Sequence, residues 1–283
     1  MELPKEAPHQ FTEINMNFLS DDDYKNLLLV SQSVKKTGRS NILGKLSDSL
    51  RKYQWFLIAK LRAQSIEETM LEMEVNSYIV MDPLAQGEFS KSIYEMMIYG
   101  KACLDSLAQF TSEFFILNEK PQSCDFKWSN FREKFEALEI CSGLMNELDY
   151  WLNKDSKLTN SISSARDHWI HREYITVPLL WPPKELGCLV VPKLIEKDNL
   201  AKTTFTEEYF YSSNQFIELH QNNLSRLLSA VIKKTALVES KGIELSIGDD
   251  QIKNKVSFFP IGITEEREWN GITLGPYTSG SNK

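Results

Sequence analysis

The chain has 283 residues, of which 42% are hydrophobic and 25% are charged, and its formal net charge at pH 7 is −7. This length and apolar content are sufficient for one large domain or two small ones, each with a buried core. The net negative charge argues against a protein whose whole surface wraps nucleic acid or lies on an acidic membrane, so any polyanion would have to bind a local patch.

The N-terminal sequence and the cysteines predict a cytoplasmic protein. The opening MELPKEAPHQ has neither the basic region nor the apolar region of a secretory signal. No later run approaches the ~18 consecutive apolar residues of a membrane span, so no membrane association is expected. The cysteines are far apart and lack CxxC spacing, which predicts isolated reduced thiols rather than a disulfide framework or a zinc site. They are Cys103, Cys124, Cys141 and Cys188.

The first part of the chain predicts three helices. Ser20 followed by Asp23 is typical of a helix start, and a short helix is expected over about 21–36. The sequence from 45 to 80 contains neither Gly nor Pro, which predicts one long helix. MDPLAQG, residues 81–87, is expected to end it. The next helix is expected over 90–117, because its apolar residues recur at three- and four-residue steps.

The middle of the chain predicts shorter elements. Two short helices are expected over about 128–137 and 142–153, and a helical segment follows over about 156–174. Four prolines then fall within VPLLWPPKELGCLVVPKL, residues 177–194, and forbid a regular helix there. This stretch is therefore predicted to be an apolar, extended connection.

The last part of the chain predicts one more long helix and an irregular tail. A helix of about 30 residues is expected from Thr206, with Glu207 and Glu208 in its first turn. Beyond it, β-prone snippets alternate with Gly, Pro and Asp. The predicted class is an all-α, antiparallel up-and-down helical bundle with an irregular, partly β-prone C-terminal tail. The predicted divisions are an N-terminal arm at 1–44, a bundle at 45–237 and a tail at 238–283.

The stretch SARDHWIHREY, residues 164–174, is the strongest candidate for a site. Asp167 and His171 are four residues apart, so on a helix the carboxylate can fix which imidazole nitrogen is free for proton transfer. Arg166 and His171 are five apart, about 140° around an ideal helix at 100° per residue, so one straight helix cannot direct both at the same small group. Either the helix bends or ends there, or a second copy of the segment across a two-fold axis completes the site.

Arg166, Asp167 and His171, late in a predicted helical bundle, resemble the HEPN (higher eukaryotes and prokaryotes nucleotide-binding) superfamily. In that family an RxxxxH motif with Asn, Asp or His in second position forms a metal-independent ribonuclease site at a dimer interface. The resemblance covers about residues 45–237 by helix order. It implies that Arg166 stabilises phosphate charge, that His171 moves a proton and that Asp167 orients them.

The resemblance further implies a homodimer that cleaves RNA through the 2′-hydroxyl, in a toxin or antiviral setting, with an antitoxin-type protein as a further partner. No cofactor and no metal ion is expected. Some family members retain the helices but serve only as binding or dimerisation modules. The alternative function is therefore a non-catalytic module that binds nucleotide, RNA or a protein.

Simpler interpretations stand beside this one. Arg166, Asp167 and His171 could form a purely structural ion-pair network. His168 and Arg172 are candidates for supporting contacts, or they decorate a solvated face. His220 lies in the apolar series of the last helix, as a core histidine or a supporting partner of the motif. A metal site is disfavoured because Asp167, His168 and His171 can converge only in pairs.

Two further features of the sequence bear on function. Basic residues alternate with aromatic ones along the first long helix and only loosely resemble an RNA-stacking surface. Because they also alternate with core residues, a solvated helix face is the preferred interpretation. These residues are Arg51, Lys52, Tyr53, Trp55, Lys60 and Arg62. The usual motifs of nucleotide hydrolysis, Rossmann redox chemistry, zincins and serine hydrolases do not occur in the chain.

Overall fold

A computed structural model describes the chain in fourteen ranges. These are residues 11–36, 40–72, 74–75, 78–79, 82–115, 124–126, 128–140, 143–144, 179–184, 187–192, 210–239, 256–260, 267–269 and 272–274. The described part is mostly helical, which agrees with the all-α class. Its helices are α1 (Asp21–Lys36), α2 (Ser40–Glu72), α3 (Pro83–Phe115), α4 (Ser129–Glu136) and α5 (Ser213–Glu239).

Helix α1 has the predicted bounds, whereas α2 does not. The hydroxyl of Ser20 accepts a hydrogen bond from the amide of Asp23 at 3.1 Å, so the helix start read from these two residues is confirmed. Helix α2 begins at Ser40 and ends at Glu72, so the predicted helix over 45–80 was too long at its C-terminal end. Val75, Tyr78 and Ile79, residue types that suit strands, lie instead in two short strands.

Helix α3 begins earlier than predicted because Pro83 starts it rather than breaking it. Proline suits the first helical position, where its missing amide hydrogen would have no intrahelical partner. Asp82 precedes it and caps the helix: its Oδ1 accepts a hydrogen bond from the amide of Leu84 at 3.0 Å. MDPLAQG therefore opens this helix, and the prediction that it only closes the previous one was wrong.

Helix α4 spans Ser129–Glu136 and confirms the first of the two short predicted helices. Of the second, expected over 142–153, only Gly143 and Leu144 lie within the described residues. Helix α5 begins at Ser213, so the predicted start at Thr206 was wrong. The start is fixed by a capping box, in which the Ser212 hydroxyl accepts from the amide of Gln215 at 3.2 Å and the Gln215 side chain accepts from the amide of Ser212 at 3.1 Å.

The strands of the described residues are short and form four small antiparallel sheets. Their bounds are β1 (Phe11–Asn15), β2 (Glu74–Val75), β3 (Tyr78–Ile79), β4 (Leu179–Lys184), β5 (Gly187–Pro192), β6 (Phe210–Ser212), β7 (Val256–Pro260), β8 (Arg267–Trp269) and β9 (Ile272–Leu274). Strand β5 lies between β4 and β6, β2 pairs with β3, and β8 pairs with β9. The proline-rich stretch is thus extended, as predicted, and the tail contains the expected β structure.

Strand β1 pairs with β7, so the N-terminal arm and the tail share one sheet. Phe11 lies opposite Pro260 and Asn15 opposite Val256. The sequence of the arm predicts no strand. Pairing between segments so distant in the chain leaves no local pattern from which it could be predicted.

The chain divides into two compact units. The first comprises residues 1–51, 106–124 and 228–283, and the second comprises 52–105 and 125–227. In the first unit, the Asp23 carboxylate accepts a hydrogen bond from the Ser229 hydroxyl at 2.8 Å, and the Lys233 ammonium lies 3.5 Å from the same oxygen. The predicted domain boundaries at 44/45 and 237/238 stay predictions.

The second unit has an aromatic and methionine-rich interior. Phe126, Phe131 and Phe135 form mutual ring contacts, with Phe126 and Phe135 edge to face at 4.8 Å between centroids. Fully buried side chains from three helices also contribute to this interior: Phe56, Ala63, Phe89, Ile93, Met96, Met97, Phe216, Ile217 and Leu227. The apolar stripe predicted on the second long helix is therefore core, as expected.

Candidate functional site

The predicted motif lies outside the described residues. Arg166, Asp167 and His171 fall in the interval between Leu144 and Leu179, as do the supporting candidates His168 and Arg172. The catalytic assignment of Arg166, Asp167 and His171 and the supporting role of the other two stay predictions from the sequence. The remaining candidate, His220, is described, and so are several polar and aromatic side chains of the second unit.

His220 lies on α5 and is completely buried, as its place in the apolar series predicts. The Phe216 ring meets its imidazole edge to face at 4.5 Å between centroids. Burial disfavours the charged imidazolium and lowers the pKa of His220 to about 3. Its imidazole is therefore neutral at neutral pH and sealed from solvent, which favours a packing or supporting role over direct proton exchange with a substrate.

A buried carboxylate connects three elements of the second unit. Glu67, on α2, is only 4% exposed. One of its oxygens accepts a hydrogen bond from the backbone amide of Leu189, in β5, at 2.7 Å. The other accepts from the hydroxyl of Ser213, the first residue of α5, at 2.5 Å. We refer to Glu67, Leu189 and Ser213 as the Glu67 cluster.

Local sequence explains why the Glu67 cluster forms where it does. Glu67 continues a buried stripe of α2 that includes Ala59, Ala63 and Met70, so the helix directs its carboxylate inward. The capping box places Ser213 in the first turn of α5, where the helix dipole favours a nearby negative charge. Charge-assisted hydrogen bonds offset the desolvation of the carboxylate. An acidic residue at a stripe position is the signal that could have revealed this cluster.

The alternating basic and aromatic residues of α2 do not share one surface. Tyr53 is 2% exposed, and burial raises the pKa of its phenol to about 12, with a hydrogen bond to Ser225 acting in the opposite direction. Trp55 is 41% exposed and packs against Tyr99 on α3, at 5.4 Å between ring centroids. Arg62 forms an ion pair with Glu95 at 2.6 Å. The hypothesis that nucleic-acid bases stack in a row along α2 is therefore unsupported, because Tyr53 faces the core.

Exposed apolar side chains lie on the same part of α2. Trp55, Ile58 and Leu61 recur at three-residue steps and are 41%, 48% and 62% exposed. Ile98, on α3 beside the Tyr99 that contacts Trp55, is 39% exposed. We refer to Trp55, Ile58, Leu61 and Ile98 as the exposed patch. Clustered exposed apolar side chains of this kind are typical of surfaces that bind another protein.

Lys101, elsewhere in the second unit, is paired with two aspartates. Lys101 is largely buried and forms ion pairs with Asp105, one turn along α3, and with Asp125, whose Oδ2 lies 3.2 Å away. Within the described ranges, no three His, Cys, Asp or Glu side chains are grouped as a metal site would require. None of the described helices has the length and apolar character needed to cross a membrane.

Comparisons of the chain with protein-family models, with curated proteins and with solved structures find no match. No relative's site residues are therefore available for transfer to this chain. The resemblance to the HEPN superfamily rests on Arg166, Asp167 and His171 and on the predicted order of the helices.

Proposed function

We propose that the protein is a metal-independent endoribonuclease of the HEPN type. The observation that carries the proposal is the sequence Arg166, Asp167 and then His171, which supplies a cation, an orienting carboxylate and a proton carrier within six residues. The mostly helical composition of the described residues supports it, because the family's site is built in a helical bundle. The HEPN-like arrangement of the helices is part of the same proposal.

The proposed reaction uses each motif residue for one task. His171 removes the proton of the ribose 2′-hydroxyl, and the 2′-oxygen attacks the adjacent phosphorus. Arg166 stabilises the negative charge that develops on the phosphorane oxygens. The bond from phosphorus to the 5′-oxygen then breaks, and an acid returns a proton to that oxygen. The products are a 2′,3′-cyclic phosphate and a 5′-hydroxyl end.

A homodimer is part of the proposal because a single motif helix cannot form the complete site. The spacing of Arg166 and His171 separates them by about 140° on an ideal helix, so one copy presents only one of them to a given phosphate. A two-fold axis near residues 164–174 would bring two arginines and two histidines to one cleft. The second histidine would supply the acid that the leaving 5′-oxygen requires. An antitoxin-type protein is the proposed partner that restrains this activity.

The experiment is RNA cleavage by purified protein in EDTA, with the fragment ends identified. Cyclic phosphate ends that persist in EDTA are the expected result. His171→Ala should reduce the rate at least about 100-fold, since general acid–base catalysis contributes ~10²–10⁴-fold. Arg166→Ala should have a comparable effect, and His168→Ala is the matched control on the same segment. Cleavage unchanged in His171→Ala would indicate a contaminating nuclease and end the proposal.

The alternative, a non-catalytic module that binds a protein partner, is favoured by the exposed patch. Four large apolar side chains on α2 and α3 stand in solvent, which a binding module would need and catalysis alone does not explain. The two functions differ in outcome. A module would leave RNA intact under all conditions, and Arg166→Ala or His171→Ala would then change nothing in an RNA assay.

A further inference from the structure

We infer that Glu67 is a positioning residue: its carboxylate fixes β5 and the first turn of α5 against α2, and thereby holds the chain on the C-terminal side of the proposed ribonuclease motif. The catalytic part of this inference rests on the proposed function, whereas the structural part rests on the described contacts alone. Glu67 touches no substrate in this role and acts through the elements that it joins.

The hydrogen bonds to Glu67 come from two elements, β5 and α5, that are distant from α2 in sequence. Its two oxygens accept from Leu189 and Ser213, at 2.7 Å and 2.5 Å, so neither oxygen is redundant. Leu189 and Ser213 are themselves completely buried. A displacement of β5 from α2 would expose a backbone donor and a carboxylate to an apolar interior, which is strongly unfavourable.

The Leu189 amide supports this assignment because it bonds to a side chain instead of a neighbouring strand. Strand β5 pairs with β6 through Val190, Val191 and Pro192, and Leu189 lies opposite Leu179 of β4. The Glu67 bond therefore attaches the sheet to helix α2 at the residue where pairing with β6 ends. Apolar packing alone would permit β5 to slide along α2, whereas the hydrogen bond from the Leu189 amide to the Glu67 carboxylate fixes one position of the strand on the helix.

The sheet held in this way directly follows the motif in sequence. Strand β4 begins at Leu179, and His171 precedes it by eight residues. A chain of eight residues spans at most about 29 Å when fully extended, at about 3.6 Å per residue. Anchoring β4 and β5 thus restricts where the end of the motif segment can lie. Loss of the anchor should reduce the rate of the chemical step more than the affinity for RNA.

The first measurement is hydrogen exchange at the Leu189 amide in the full-length protein, which is independent of any activity. Glu67→Leu keeps most of the side-chain volume and removes both acceptors, so exchange should accelerate about tenfold or more, as expected for loss of a hydrogen bond to a charged group. Glu67→Gln keeps one acceptor and should stay within about threefold of the native rate. Glu68→Leu, at the exposed neighbouring position, is the matched control and should leave the rate unchanged.

The second measurement is RNA cleavage by the same proteins. With kcat expressed per folded molecule, so that a smaller folded fraction does not itself lower it, Glu67→Leu should lower kcat about tenfold or more with KM within about twofold. Glu67→Gln should restore most of kcat. If Glu67→Leu does not fold, Ser213→Ala replaces it, with the same direction and a smaller loss.

The outcomes separate the two parts of the inference. Native exchange at Leu189 in Glu67→Leu overturns the anchor. Accelerated exchange with kcat equal to that of Glu68→Leu overturns the positioning role. Absence of RNA cleavage by the native protein overturns the proposed function and the catalytic role together, while the exchange rates still decide whether Glu67 anchors the sheet.

Discussion

Two stretches of helix α2 differ in how side-chain chemistry is matched to burial. Around residue 67, an acidic side chain lies inside the protein, with Glu67 only 4% exposed. Between residues 55 and 61, apolar side chains lie outside, with Leu61 62% exposed. Both stretches belong to one continuous helix and to the same compact unit. Residue type alone therefore does not decide which face of this helix is core.

The difference lies in the contacts made by each stretch. Glu67 is buried because Leu189 and Ser213 supply donors for both oxygens, which offsets much of the cost of desolvating a carboxylate. Leu61 is exposed because the helix period that directs Phe56, Ala59 and Ala63 inward turns it toward solvent. A buried polar group and an exposed apolar group are each informative, because each implies a requirement beyond simple core formation.

The largest effect is expected from two adjacent residues of the patch region. Phe56 is 0% exposed and Trp55 is 41% exposed. Phe56→Ala should lower the free energy of unfolding by about 3–5 kcal/mol, the cost of emptying a large buried aromatic site. Trp55→Ala should cost well under half of that. Urea unfolding of both variants measures the difference, and equal losses would show that Trp55 is core and that the patch is misassigned.

A second comparison contrasts the neighbours Glu67 and Glu68. Glu67→Ala leaves the Leu189 amide and the Ser213 hydroxyl buried without their acceptor, at about 1–3 kcal/mol for each donor. Glu68→Ala, on the exposed side of the same turn, should change stability by less than about 0.5 kcal/mol. Denaturant midpoints are the measurement. A loss below about 1 kcal/mol for Glu67→Ala would mean that water replaces the carboxylate and that the site is not sealed.

A pH series extends the comparison to another buried polar residue, His220. The pKa of His220 is lowered from 6.5 to about 3 by burial, so as the pH falls the unfolded state binds the proton first. Stability is therefore lost between about pH 6.5 and pH 3, and this group alone should remove about 2 kcal/mol between pH 7 and pH 5. The His220→Gln side chain cannot titrate. Between pH 7 and pH 5, the unfolding free energy of this variant should therefore fall by about 2 kcal/mol less than that of the native protein. Parallel profiles for the two proteins would show that the imidazole is accessible to solvent.

The smallest effect on stability is expected at the most exposed position of the patch. Leu61→Ser should change the free energy of unfolding by less than about 0.5 kcal/mol, because the side chain already stands in solvent. Its value is diagnostic: if the patch binds a partner, the same substitution weakens that binding while the fold is unchanged. A loss of stability above 1 kcal/mol would place Leu61 in the core instead.

Features with a local chemical cause were predictable from the sequence. Helix α1 starts at the predicted residue because Ser20 and Asp23 form a cap that can be recognised within four residues. The extended proline-rich stretch is correct for a similar reason, since Pro182 and Pro183 exclude a helix without reference to anything else. The capping box of Ser212 and Gln215 is equally recognisable in the sequence. The predicted start of α5 was wrong because it did not take this box into account.

Features that depend on distant partners were not predictable. The pairing of β1 with β7 joins residues 11–15 to 256–260. The end of α2 near Glu72 is a separate, local error: β2 pairs with β3 directly after the helix, although the sequence there is free of Gly and Pro. The Glu67 cluster joins residues 67, 189 and 213, and no short pattern links them. Of the proposed site, only His220 lies within the described residues, and its burial followed from helical periodicity. The chemistry of Arg166, Asp167 and His171 rests on their sequence spacing.

The pairing of β1 with β7 has a consequence for how the chain is made. Phe11 is translated long before its partner Pro260. Because domains fold during synthesis from the N-terminal side, β1 has an unpaired edge until β7 has been translated, a state that favours association with other chains. Contacts of such high sequence separation also slow the final folding step. A ribosome-stalled chain ending before residue 256 would therefore retain a strand that later residues normally cover.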